Sequence, residues 1–168
     1  MKVYPVIHVT NPAQAVEQSK IALDAKSDGV FLIQHRGNQE TLIDAFNSVS
    51  DQNPETFIGL NLLGYHPIEA YKHLDDLYES KKIKRLPDAL WSDDATGSKK
   101  TTKQAKEYLL ELENTRKEKP ELMNVKFLGG VAFKYTSWYT DNPEIAAKEA
   151  EEFGNLIDVV TTSGEGTG

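Results

Sequence analysis

Short apolar runs alternate strictly with helical patterns along this chain, and no single motif constrains the fold as much. The runs cover residues 3–9, 29–35, 57–63, 89–92, 125–134 and 157–161. They are rich in β-branched and aromatic residues and bounded by turn formers, so each reads as a strand. Between them lie apolar residues at helical spacing. A helix is expected from the Asn11-Pro12 cap to about Lys26, and a second over residues 39–50 with Leu42, Ile43 and Phe46 on one face. A third starts at Pro67 with Ile68, Tyr71, Leu74 and Tyr78, a fourth covers residues 101–117, and a fifth runs from Asn142-Pro143 to about Phe153.

Strict alternation of this kind implies parallel strands joined by right-handed crossovers. Eight such units would need roughly 250 residues, the usual size of a (β/α)₈ barrel. With 168 residues, the expectation is one domain, a TIM-type barrel lacking its last two βα units. The alternative is an open doubly wound parallel sheet binding a nucleotide or flavin, in which nothing is missing. Polar groups at the carboxyl end of every run favour the barrel, whose loops converge on one mouth. They are His8, Gln34-His35-Arg36, Asn61, Ser92-Asp93-Asp94, Lys134 and Thr162-Ser163.

Composition narrows the function classes. A net charge of −7 argues against a nucleic-acid binder, which carries a basic face. The clusters Lys81-Lys82-Ile-Lys84-Arg85 and Lys99-Lys100-Thr-Thr-Lys103 read as solvated helix ends. There is no cysteine, which excludes thiolate catalysis, disulfides and cysteine metal sites. Neither a signal peptide nor a membrane-spanning apolar stretch is recognisable, so a cytoplasmic location is expected.

The final run leads into Ser163-Gly-Glu-Gly-Thr-Gly168. Glycines at Gly164, Gly166 and Gly168 allow backbone N–H groups to turn toward an anion, with Thr162 and Ser163 adding hydroxyls. Asp93 and Asp94 suit a general base or the ligands of a divalent cation, the cofactor being otherwise unknown. Asp94 or Ser98 could instead cap the following helix. Lys134 could hold a phosphate or carboxylate, or pair with one of these aspartates. His8, Gln34, His35 and Asn61 are candidate substrate contacts, and Arg36 a candidate anion ligand. Aromatics in Tyr135-Thr-Ser-Trp-Tyr139 could stack on a base or sugar ring, or simply cover the top of the barrel.

Several segments together resemble the BtpA/SgcQ family, within the ribulose-phosphate-binding barrel superfamily. They are Pro5-Val-Ile-His8, Ser27-Asp-Gly-Val-Phe-Leu-Ile33, Ile58-Gly-Leu-Asn-Leu62, Val131-Ala-Phe-Lys134 and Asp158-Val-Val-Thr-Thr-Ser-Gly-Glu-Gly-Thr-Gly168. The segment Trp91-Ser-Asp-Asp94 and the aromatic loop after Lys134 depart from the family pattern. The resemblance implies a phosphate-binding barrel with two further strands, and a link to photosystem I biogenesis. The expected function is that of an enzyme, a lyase, isomerase or glycosyl-transfer catalyst, acting on a small phosphorylated molecule. Asp93, Asp94 and Lys134 would be catalytic, and homo-oligomerisation is compatible with it. The alternative is a non-catalytic barrel for ligand binding or complex assembly.

Overall fold

A computed structural model describes residues 1–35 and 38–164. The elements in chain order are β1 (Val6–His8), α1 (Pro12–Asp24), β2 (Gly29–Ile33), α2 (Gln39–Gln52), β3 (Phe57–Asn61), α3 (Pro67–Glu79), β4 (Ala89–Ser92), α4 (Thr102–Lys117), a 3-10 turn (Pro120–Asn124), β5 (Lys126–Gly130), α5 (Pro143–Gly154) and β6 (Val159–Thr161). Six parallel strands form one sheet in sequence order, β1 through β6. The fold is therefore α/β. The chain forms two compact units, Met1–Gly64 with Leu74–Leu90, and Tyr65–His73 with Trp91 onward, so the change of unit falls inside both α3 and β4.

In the first unit β2 is buried along its whole length, as a parallel strand covered on both faces must be. The register pairs His8 with Ile33 and Ile33 with Asn61. Asn11 caps α1 by accepting from the Gln14 amide at 2.9 Å, with Pro12 in the first turn. Asn38 likewise caps α2, which buries Leu42, Ile43, Ala45, Phe46 and Val49 at the spacing of one helical face. Stacking of Tyr4 on Phe57 at 4.5 Å, with Phe31 edge-on to both, fills the amino end of these strands. Lys84 pairs with Asp51, and Arg85 reaches Ser50 Oγ and the Thr56 carbonyl. Half of the first basic cluster thus serves the scaffold of this unit.

In the second unit α4 buries Ala105, Tyr108, Leu109, Leu112 and Arg116. Asn142 caps α5, and Lys106 of α4 pairs with Glu152 of α5. Burial drives the Tyr71 phenol far above its ordinary range, the nearby Arg116 guanidinium only partly opposing it. Burial also pushes Tyr108 up to about 12, while the Ile68 amide donating to its oxygen pulls the other way.

One device recurs at the amino ends of alternate strands. Asp28, Asp88 and Asp158 each stand immediately before β2, β4 and β6. Asp28 Oδ2 accepts from the Val3 amide at 2.7 Å, Asp88 Oδ2 from Ile58 at 2.8 Å, and Asp158 Oδ2 from Phe127 at 2.7 Å. The Asp28 and Asp88 amides donate back to the same residues' carbonyls, each at 2.9 Å, which makes a two-point clasp between neighbouring strands. Cations back two of the three: Arg85 lies 3.5 Å from Asp88, and Arg116 2.7 Å from Asp158.

Every strand but β4 is shorter than the sequence expectation, β2 and β3 by ending at Ile33 and Asn61 and β6 by starting at Val159. The first strand begins at Val6 rather than Val3, because Pro5 has no N–H for the ladder. The fifth ends at Gly130 rather than Lys134, because Ala132 adopts φ +49 and breaks the extended chain. Lys134 therefore stands in a loop and not on a strand. The cap of α4 is Thr101, whose Oγ1 accepts from Gln104 at 3.3 Å, and neither Asp94 nor Ser98 fills that role.

The clasps differ in burial, and their loss should be graded accordingly. Arg116 is only 5% exposed, so Asp158→Ala leaves a buried cation without its carboxylate and should destabilise by about 3 kcal/mol. Asp28 is exposed, and Asp28→Ala should cost only about 1 kcal/mol. Urea unfolding of both variants checks the order, and equal losses would reject it.

The buried phenols predict an alkaline limit. Unfolded tyrosines ionise near pH 10, whereas Tyr108 keeps its proton to about 12. The folded state then holds more protons than the unfolded one, so stability is full below about pH 10 and falls as pH rises through about 12. In urea midpoints followed from pH 9 upward, Tyr108→Phe should flatten this fall. An unchanged slope would remove Tyr108 from its cause.

Candidate functional site

The carboxyl ends of β1, β2 and β3 carry one set of polar groups, all in the first unit. His8 and His35 are exposed, with their rings stacked at 4.8 Å and 12°. The His8 carbonyl accepts from Gln14 Nε2 at 3.3 Å, which ties the strand end to α1. Gln34 is 6% exposed and its Oε1 accepts from the Asn38 amide at 3.3 Å, bracing the start of α2. Asn61 is 2% exposed at the end of β3. Gln39 bridges to the Leu63 carbonyl at 2.7 Å, a contact that the sequence pattern alone did not reveal. Of the predicted residues, Arg36, Gly166 and Gly168 lie outside the described residues.

The second set belongs to the second unit and is built from three loops. After β4, Asp93 and Asp94 are both half-buried, and the Asp94 carboxylate is engaged by its own loop. Oδ1 accepts from the Thr96 amide at 2.9 Å and from Thr96 Oγ1 at 2.7 Å. Oδ2 accepts from the Ser98 amide at 2.8 Å and Ser98 Oγ at 3.2 Å. A carboxylate with four donors is an organiser of its own loop. The signal lay in the sequence Asp94-Ala-Thr-Gly-Ser98, where hydroxyls follow the carboxylate at two and four residues.

The loop after β5 carries Lys134 and meets the end of β6. The Val131 amide donates to the Thr161 carbonyl at 2.9 Å, and the Lys134 amide to the Ser163 carbonyl at 2.8 Å. Thr162 Oγ1 donates to the Ala132 carbonyl at 3.5 Å. Lys134, Thr162 and Ser163 are thereby brought into one laced pair of loops. Ala132 (φ +49) and Tyr135 (φ +65) both lie in the left-handed region, which disfavours residues with a side chain. The strain brackets Phe133 and Lys134. Strain of this kind persists only where surrounding bonds enforce it, and it concentrates at functional sites.

Gly130 couples this pair of loops to the acidic one. A Cβ there would overlap the Asp93 carbonyl oxygen, and the Gly130 carbonyl accepts from the Ala95 amide at 3.0 Å. Gly130→Ala should therefore lower stability by about 2 kcal/mol through overpacking against backbone, in thermal or urea unfolding. A variant as stable as the parent would show that the β4 loop yields.

Trp138 is built into the scaffold. It meets Phe153 edge-on at 5.4 Å, and its Nε1 donates to the Lys99 carbonyl at 2.7 Å. Among the described residues no group of three or more histidines or acids could hold a metal ion, and no helix is long and apolar enough to cross a membrane.

No family model and no curated protein matches the sequence. Among solved structures, the chain is similar to a mandelate racemase/muconate lactonizing enzyme from Roseiflexus sp., with a TM-score of 0.59 and 18% identity over 95% of this chain and 39% of that one. It is also similar to a mandelate racemase/muconate lactonizing protein from Herpetosiphon aurantiacus, with a TM-score of 0.48 and 8% identity over 95% of this chain and 53% of the other. The chain thus spans well under two thirds of either protein. At 18% identity the likeness to the first of these concerns the fold alone.

Proposed function

We propose that this chain is an enzyme-like (β/α) barrel protein of the BtpA kind, acting on a small phosphorylated metabolite at the carboxyl ends of its strands. The observation that carries the reading is the strained backbone around Lys134, held by the Lys134 amide on the Ser163 carbonyl at 2.8 Å. Left-handed conformations at Ala132 and Tyr135 flank Lys134, whose backbone is tied to the segment of Thr162 and Ser163 after β6. An ammonium on a backbone fixed beside hydroxyl residues suits a phosphate. In this reading Asp93 is the base, or a ligand to a divalent cation, and Lys134 stabilises negative charge as it develops. Asp94 is a positioning residue that fixes the loop carrying Asp93.

The test is ligand-dependent thermal stabilisation with sugar phosphates and their dephosphorylated counterparts. A phosphorylated compound should raise the melting temperature, and its counterpart should not. Lys134→Met should weaken binding at least about tenfold, the scale of one lost charge-assisted contact. Once a turned-over substrate is found, Asp93→Asn should abolish turnover with binding retained. Equal stabilisation by both compounds would reject the phosphate grip, and full turnover by Asp93→Asn would reject the base.

A further inference from the structure

The aromatic loop after β5 presents its rings unequally. The Trp138 indole lies on Phe153 and donates to the Lys99 carbonyl, and the Tyr139 hydroxyl donates to Asp141. Tyr135 alone among these three is held out, 89% exposed, although its backbone is in the left-handed region at φ +65. A bulky residue in that conformation is an outlier, and here no burial of the ring offsets the strain. A turn closed by Thr136, whose amide and hydroxyl both donate to the Phe133 carbonyl at 3.2 and 2.7 Å, sets the ring in place. The Lys134 ammonium stands 5.7 Å from the ring centre. Ring and cation are thus presented together, on a backbone bound at 2.8 Å to the Ser163 carbonyl.

We propose that Tyr135 is a stacking platform, and that the ligand of this site is a phosphate bearing a planar aromatic ring, of the mononucleotide class, rather than a sugar phosphate without one. The proposal rests on the phosphate-site reading above and adds the ring to it. Every nucleobase has a π-face, and stacking on one aromatic side chain strengthens binding roughly five- to hundredfold. The cation–π contact that the ligand replaces is weak at an exposed site. A net charge of −7 disfavours a polymeric nucleic acid, so a single nucleotide is the fitting size.

Calorimetric titration of the full chain with adenosine monophosphate, ribose 5-phosphate and adenosine separates the two layers of the claim. The nucleotide should bind at least about fivefold more tightly than ribose 5-phosphate. Tyr135→Asn, a residue that tolerates the left-handed region, should erase that preference and leave ribose 5-phosphate binding intact, while Tyr135→Phe should keep it. Lys134→Met should weaken both phosphates and spare adenosine. A preference that survives Tyr135→Asn, or equal binding of the two phosphates, overturns the platform while the phosphate reading stands. Adenosine binding as tightly as its monophosphate, lost in Tyr135→Asn and unchanged in Lys134→Met, keeps the platform and overturns the phosphate. Absence of binding by all three compounds overturns both.

Discussion

The sheet depends on a carboxylate placed where a strand begins. A parallel strand enters the sheet with amides that its neighbour's backbone does not fully satisfy, and an unpaired buried amide is costly. Asp28, Asp88 and Asp158, set just before β2, β4 and β6, fill that deficit by accepting from the amides of Val3 ahead of β1, and of Ile58 and Phe127, each the second residue of its strand. This contact also sets register, since the side chain reaches only one amide. A one-residue slip would turn every side chain of a strand to its other face. The clasps skip β3 and β5, so the strands are joined in pairs. Arg85 and Arg116 reinforce two of them, and Arg116 ties its clasp to the Val125 carbonyl at 3.0 Å.

This arrangement divides labour along the strand. Register is set at the amino ends, where Tyr4, Phe31 and Phe57 also pack. The polar groups gather at the carboxyl ends, in loops that bear none of that duty. In a (β/α) barrel the same division holds, with chemistry carried by the loops at the carboxyl face. Left-handed backbone at Ala132 and Tyr135 is tolerable because a scaffold anchored at its other end absorbs the strain.

The alternation of strands and helices was legible in the sequence because burial imposes it. Strands covered on both faces must be apolar throughout, and helices must keep one apolar stripe, so β2 and α2 were plain. The asparagine caps of α1 and α5 were legible for the same local reason. Strand limits were less so. The end of β5 is set by the left-handed Ala132, which no local preference of alanine requires and which loop-to-loop hydrogen bonds impose. The turn at Pro120–Asn124 is too short to show a period. At the candidate site the residue types could be read but their commitments could not. That Asp94 is engaged by Thr96 and Ser98, and that Lys134 follows the strand by four residues, became visible only once the chain was folded.

The contact at Gly130 has a consequence for how such a site can change over evolutionary time. The β4 loop and the end of β5 meet through main-chain atoms, the Asp93 carbonyl against the Gly130 Cα and the Ala95 amide on the Gly130 carbonyl. Their spacing therefore rests on main-chain contacts, with the Asp94 carboxylate holding the β4 loop through Thr96 and Ser98. Asp93 and Lys134 can be exchanged for residues of other chemistry while Gly130 and Asp94 keep the frame that presents them. A new reaction could then arise by point substitution, while the distance between the reacting groups is inherited unchanged.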